Sequence, residues 1–171
     1  IAVAGNNQNL CSSTATLNAA IPTNGTGTWN SLTPGAVITN PALANSSVTG
    51  LVSGQNFLEW VVSNGACPDS RDTVIIDVTP SPSNVNAGSD QNICGDSTFF
   101  SALVPVNGTG TWSLLSGSGS IASTVNPNSF VSSLGAAQNI FIWTVINGIC
   151  PAVTDTVILS TFGPVTTANA G

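Results

Sequence analysis

Apolar and polar residues alternate in short runs along this chain, and clusters of Gly, Pro, Asn and Ser break the runs every 8–12 residues or so, a spacing typical of an all-β sandwich or barrel. No window sustains a helical period, because Gly and Pro interrupt each one. The runs near residues 14–20, 26–32, 46–51, 56–63 and 72–79 predict strands, with short ones near 1–4 and 8–11. A second set follows 83 residues later.

Alternation assigns the faces. Leu58, Trp60 and Val62 share one face of their strand, as do Phe141, Trp143 and Val145 in the second set. Val74, Ile76 and Val78 point inward, with Leu17 and Phe100 beside them, while Thr73 and Ile75 point outward. The other face of 56–63 carries Phe57, Glu59 and Val61, and its mate carries Ile140, Ile142 and Thr144. That is apolar for a solvated face. Phe57, Val61, Ile140 and Ile142 are therefore candidates for an assembly face, against the plainer reading of β-branched residues on an exposed strand.

The period organises the molecule. At a shift of 83, without a gap, 31 of the first 83 positions are identical. The matches cluster in NGTGTW (24–29 and 107–112), in Asn-Gly-x-Cys-Pro (64–68 and 147–151) and in Asp-Thr-Val-Ile (72–75 and 155–158). A fixed period of this length means tandem domains, each large enough to own a core. We divide the chain at 1–82 and 83–168. Residues 169–171 repeat Asn86-Ala87-Gly88 and read as the start of a third unit, so the chain is expected to be part of a longer array. The junction TPSPSN, residues 79–84, is a short, semi-rigid spacer. All four Trp fall at repeated strand positions, which is what core anchors give: Trp29, Trp60, Trp112 and Trp143. A sugar-binding platform is the competing use. Phe130 and Phe162, which break the repeat, are better placed than the Trp residues for that role.

Charge removes several functions. Seven acids face one base, Arg71, with no His. Nucleic-acid binding has almost nothing to neutralise phosphate with. A Ser or Cys nucleophile has no His, Lys or Tyr to act as its base. Glu59, Asp69 and Asp77 are replaced by Ile142, Ala152 and Ser160 in the second unit, so no carboxylate pair for glycoside chemistry recurs. The chain is expected to be no enzyme and to need no cofactor. Calcium at a junction would draw on Asp69 and Asp72, or on Asp90 and Asp96, though neither pair forms an EF-hand loop. No apolar run approaches the roughly 18 residues of a membrane span.

The four cysteines fall as one pair per unit, 56 residues apart. Closely spaced pairs and His, which zinc sites use, are missing. The reading is two structural disulfides, Cys11–Cys67 and Cys94–Cys150, because pairing across units would break the repeat symmetry. Each would add roughly 4 kcal/mol by the chain-entropy argument and place the protein in an oxidising compartment. Asn24, Asn45 and Asn107 match the N-glycosylation pattern.

The opening Asn-Ala-Gly-Ser-Asp-Gln-Asn-Ile-Cys, residues 86–94, together with Gly-Thr-Gly-Thr-Trp, Asn-Gly-x-Cys-Pro and Asp-Thr-Val-Ile, resembles the PKD-like and Ig-like repeats of large Bacteroidota surface proteins, including gliding-motility-type adhesins. The resemblance covers both units; the first departs from it in lacking the Asp of the opening. It implies an all-β chain of two tandem Ig-like (PKD-like) antiparallel β-sandwich domains of about seven strands each. It also implies a non-catalytic role in an extracellular adhesin stalk or cell-surface filament at the bacterial surface, exported by the type 9 route. Expected partners are neighbouring repeats, other copies in a filament, and glycans or surfaces. The alternative is a carbohydrate- or surface-binding module. The resemblance further suggests O-glycosylation after Asp, at Thr73, Ser97 and Thr156.

Overall fold

In the computed structural model, which describes residues 1–163, the chain forms two compact units: Ile1–Ser81 and a second that begins at Pro82. The third-unit start expected at 169–171 lies outside the described residues. Every regular element among them is a strand.

The first unit contains β1 (Gln8–Leu10), β2 (Ala15–Thr16), β3 (Thr26–Ser31), β4 (Val37–Ile38), β5 (Ser47–Thr49), β6 (Gly54–Ser63) and β7 (Ser70–Val78). One sheet has the order β1-β7-β6-β3 and the other β2-β5-β4. The second unit repeats this plan with β8 (Gln91–Cys94), β9 (Thr98–Phe99), β10 (Thr109–Ser116), β11 (Ser120–Ile121), β12 (Phe130–Ser132), β13 (Ala137–Ile146) and β14 (Val153–Phe162). Its sheets are β10-β13-β14-β8 and β11-β12-β9.

Two details differ from the expectation. β1 and β8 run parallel to β7 and β14, with Leu10 opposite Val78 and Cys94 opposite Phe162, so the sandwich is not wholly antiparallel. And residues 1–4 form no strand, although Ala2 and Ala4 are buried. Their amides donate instead to side chains of β7, Ala2 to Ser70 Oγ at 2.8 Å and Ala4 to Asp72 Oδ2 at 2.7 Å.

Each unit has its own core, filled by the inward residues of both sheets. In the first unit Leu17, Trp29, Val48, Leu58, Trp60, Val74 and Ile76 are nearly inaccessible. In the second, Phe100, Trp112, Val131, Phe141, Trp143, Val157 and Leu159 take their places. Phe100 replaces Leu17 and stacks on Trp112 with centroids 3.9 Å apart.

Candidate functional site

The repeated motifs converge on the fold of each unit. NGTGTW begins as a turn in which Gly25 and Gly108 have φ of 85° and 96°, a conformation only glycine adopts freely. It continues into β3 and β10, where Trp29 and Trp112 are 1% exposed. Trp29 lies opposite Trp60 and Trp112 opposite Trp143, with ring centroids 5.1 and 5.0 Å apart. The indole N–H of Trp29 donates to Ala44 O and that of Trp112 to Pro127 O. The indole nitrogens of Trp60 and Trp143 are buried with no hydrogen-bond partner.

Several repeated polar residues serve their own backbone. Asn56 is fully buried; its Oδ1 accepts from Val52 N, and its Nδ2 donates to Val52 O, Gly54 O and Ile76 O. Asn139 does the same for Ser118 N, Gly135 N, Gly135 O and Leu159 O. Ser46 and Ser129 accept from Asn40 N and Ser123 N. Gln8 and Gln91 donate to Thr16 O and Phe99 O. Asp72 and Asp155, the acids of Asp-Thr-Val-Ile, accept from Ala4 N and Ala87 N. Asn7 accepts from Ile75 N where Asp90 accepts from Ile158 N, so the missing Asp of the first opening is replaced by an equivalent acceptor. Sequence reading missed Asn56 and Asn139. An Asn followed by an apolar residue at the start of a strand looks like a turn residue, and only the repeat match hinted otherwise.

The remaining acids do not gather. Among the described residues no three of His, Cys, Asp and Glu lie close enough to hold a metal ion. Arg71 bridges Glu59 at 2.8 Å and Asp69 at 3.2 Å.

The apolar outer face is uneven. Phe57 is 38% exposed, Ile140 and Ile142 are half-buried, and Val61 is only 7% exposed. Arg71 lies directly opposite Val61 in the register and pairs diagonally with Glu59. Thr73 and Thr156 are exposed, Ser97 is half-buried, Asn24 and Asn45 are exposed, and Asn107 is half-buried. Phe130 packs against Phe99 at 5.0 Å on the surface of the second unit, and Phe162 is 58% exposed.

The cysteine expectation is corrected. Cys67 and Cys94 are free and exposed, whereas Cys11 and Cys150 are disulfide-bonded. Neither Cys11–Cys67 nor Cys94–Cys150 forms, and the register explains why. Cys11 follows Leu10, which faces Val78 at the end of β7. Cys67 lies in the turn before Ser70, where β7 begins. Eight steps of strand, about 26 Å at 3.3 Å per residue, separate the two levels, and a disulfide needs its Cα atoms within about 7 Å. In the second unit Cys94 lies opposite Phe162 and Cys150 precedes Val153, so the whole of β14 intervenes. The one structural disulfide per unit read from the spacing is therefore not what the fold builds.

Two clefts recur at equivalent places. One of about 580 Å³ is bounded by Ile21, Pro22, Gly27, Leu43 and Trp60. The other, about 440 Å³, is bounded by Val104, Pro105, Gly110, Val125 and Trp143.

No family model and no curated protein matches the chain. Solved structures do. Hemolin, an insect immune protein, aligns over 93% of this chain and 46% of its own at 10% identity, with a TM-score of 0.58. The first four immunoglobulin domains of Sidekick-1 align over 95% and 48% at 14% identity, TM-score 0.53. A three-Ig fragment of titin aligns over 95% and 65% at 11% identity, TM-score 0.52. The chain thus spans about half to two thirds of these structures. At such identities the likeness concerns the fold, and it agrees with the strand plan above: two Ig-like β-sandwich domains in tandem.

Proposed function

We propose that the chain is a non-catalytic structural segment of an extracellular adhesin stalk or cell-surface filament, with 1–82 and 83–168 as its repeats. One observation carries this reading. The side chains that recur at the 83-residue period are largely committed to building each unit: the Trp pairs to the cores, and Gln, Ser, Asn and Asp to backbone groups. What the units share is therefore architecture, as in a spacer. The tandem Ig-like fold is also that of Sidekick-1, titin and hemolin, the last an immune protein whose domain arrangement is linked to homophilic adhesion. The motif resemblance described above supports a bacterial, Bacteroidota-type surface as the setting, and a disulfide fits an oxidising exterior. Outward Thr73 and Thr156 suit O-glycosylation, with Ser97 a weaker candidate; intact-mass analysis of native protein would find the added mass. Electron microscopy of native material tests the main reading: a beaded stalk or filament is expected, and isolated globular monomers would overturn it.

The repeated cleft favours a second reading, a carbohydrate-binding module. Its wall includes Trp60 in one unit and Trp143 in the other, beside apolar Ile21, Pro22 and Leu43 or Val104, Pro105 and Val125. That reading expects tryptophan emission to shift on titration with neutral oligosaccharides, and an unmoved spectrum across a glycan panel removes it.

A further inference from the structure

Asn-Gly-x-Cys-Pro recurs in both units, yet Asn64 is exposed, unlike the buried Asn56 and Asn139. In the first unit the motif forms the turn from β6 to β7, and residues 64–69 are all exposed. Cys67 N donates to Asn64 O at 3.1 Å. Gly65, the first central residue, has φ of 58°, and the φ of Ala66 is not positive. That is the type II′ pattern, with Gly where the left-handed region is needed. The closing bond takes Cys67 N and Asn64 O and leaves Gly65 N out of the turn. A Cβ built on Gly65 would meet nothing within 4 Å, so the peptide joining Asn64 to Gly65 has open space around it.

These are the conditions for a side-chain amide to react with its own backbone. The Asn64 amide carbon and the Gly65 nitrogen are one ring closure apart, and such intramolecular attack is fast where the backbone can reach the geometry. Gly65 carries no side chain to crowd the approach.

We propose that Asn64 is a self-modifying residue, converted through attack by Gly65 N to aspartate and isoaspartate. The bond from Gly65 N to Cγ of Asn64 forms and the bond from Cγ to Nδ2 breaks. Nδ2 leaves as ammonia, taking with it the proton from Gly65 N. Water then adds to either carbonyl of the cyclic imide and reopens the ring. Nothing is oxidised or reduced, and water is the co-reactant. Either product adds one carboxylate to a turn that holds Asp69, which accepts from Ser63 Oγ at 2.6 Å and pairs with Arg71 at 3.2 Å. Isoaspartate also takes the Asn64 carbonyl, the acceptor of Cys67 N, out of the main chain.

The other three Asn-Gly sequences are internal comparisons. Asn147–Gly148 makes the same turn, with Cys150 N on Asn147 O and φ of 53° at Gly148. Asn147 is half-buried, however, and its turn carries Ile146 and Ile149 where the first unit has Ser63 and Ala66. Asn24–Gly25 and Asn107–Gly108 are wedged. A Cβ on Gly25 or Gly108 would lie 2.2 or 2.3 Å from the carbonyl oxygen of Ser63 or Ile146, so these peptides have little room to turn.

The test is incubation of the purified chain in warm, mildly alkaline heavy-oxygen water, sampled over days. Peptic mapping by mass spectrometry reads amide-to-acid conversion and heavy-oxygen uptake at each Asn-Gly, and enzymatic methylation of isoaspartate reads the rearranged product. Asn64 should convert several times faster than Asn24, Asn107 and Asn147, with isoaspartate at that position. Gly65→Ala should slow it several-fold. Because that substitution falls at a positive φ, urea supplies a second measurement on the unaltered chain: unfolding should bring the four rates together. A folded chain in which Asn64 stays an amide, or converts no faster than Asn147, overturns the proposal. So does conversion without isoaspartate, which would mean direct hydrolysis, or a ranking that survives urea, which would come from local sequence and not from the turn.

Discussion

A Cβ on Gly27 would lie 2.0 Å from Cζ2 of Trp60, and one on Gly110 would lie 2.0 Å from Cζ2 of Trp143. The second glycine of NGTGTW is thus absent side chain, the space into which the neighbouring strand's indole packs. Gly27→Ala and Gly110→Ala should each destabilise their unit by about 1–3 kcal/mol or more, since a rigid ring in a closed core has nowhere to move. Gly54 is a control. Its φ is 88° but nothing lies within 4 Å of a Cβ placed there, so Gly54→Ala should cost only the left-handed penalty of about 1–2 kcal/mol. Urea unfolding followed by tryptophan emission separates the two. Gly27 has no positive φ, so a loss at Gly27 below about 0.5 kcal/mol would mean that the indole gives way and does not require the glycine.

The buried amide of Asn56 holds together the loop that feeds β6. Asn56→Ala leaves Val52 N without its acceptor and three carbonyls without their shared donor. Only the bond to Ile76 O is fully buried; one orphaned buried group costs about 1–3 kcal/mol, so the substitution should lower stability by at least about 1 kcal/mol. Asn139→Ala should behave alike in the second unit. Hydrogen exchange at Val52 and Gly135 would report it, and unchanged protection there would show that water replaces the amide.

Asp72 and Asp155 tie down the segments that open each unit. Asp72→Ala removes the acceptor for Ala4 N at 2.7 Å and Thr73 N at 3.0 Å, a loss of about 1.5–3 kcal/mol for hydrogen bonds to a charged group. Asp72→Asn keeps one oxygen and should retain part of that stability. Amide exchange at Ala4 should accelerate in the order Asn, then Ala. If both variants leave Ala4 protected, the segment is held by burial of Ala2 and Ala4 alone.

How much of this was legible before the structure differs by residue. Trp60 and Val74 announce their strands through alternation, and the 83-residue period fixes the number of units, because apolar burial and repetition are written locally. Asn56 and Asp72 were not legible as buried or anchoring groups: Asn56 also reaches Ile76 O and Asp72 reaches Ala4 N, backbone atoms about 20 to 70 residues away, and Asn56's bonds to Val52 and Gly54 look like those of any turn residue. The short strand Val37–Ile38 escaped notice because two residues carry no period. The cysteine pairing failed for a topological reason. Spacing says how long a loop would be, but not that β1 runs parallel to β7 and so carries Cys11 to the pole opposite Cys67.

That pole separation leads to a prediction about reduction. A disulfide closed within a unit would stabilise its core by roughly 4 kcal/mol through the unfolded chain. Here Cys67 and Cys94 are free, so neither the Cys11–Cys67 nor the Cys94–Cys150 loop is closed inside its sandwich. Each core is complete without it: the buried Trp pairs, Asn56 and Asn139 all find their contacts within their own unit. Dithiothreitol, or Cys11→Ser, should therefore leave the tryptophan emission unchanged and the stability of each unit within about 0.5 kcal/mol, the range of surface substitutions. The measurement is urea unfolding of the chain with and without dithiothreitol, monitored by tryptophan emission and by amide exchange in each unit. A drop of about 4 kcal/mol on reduction would place the bond inside a unit and contradict the register of β1 and β8.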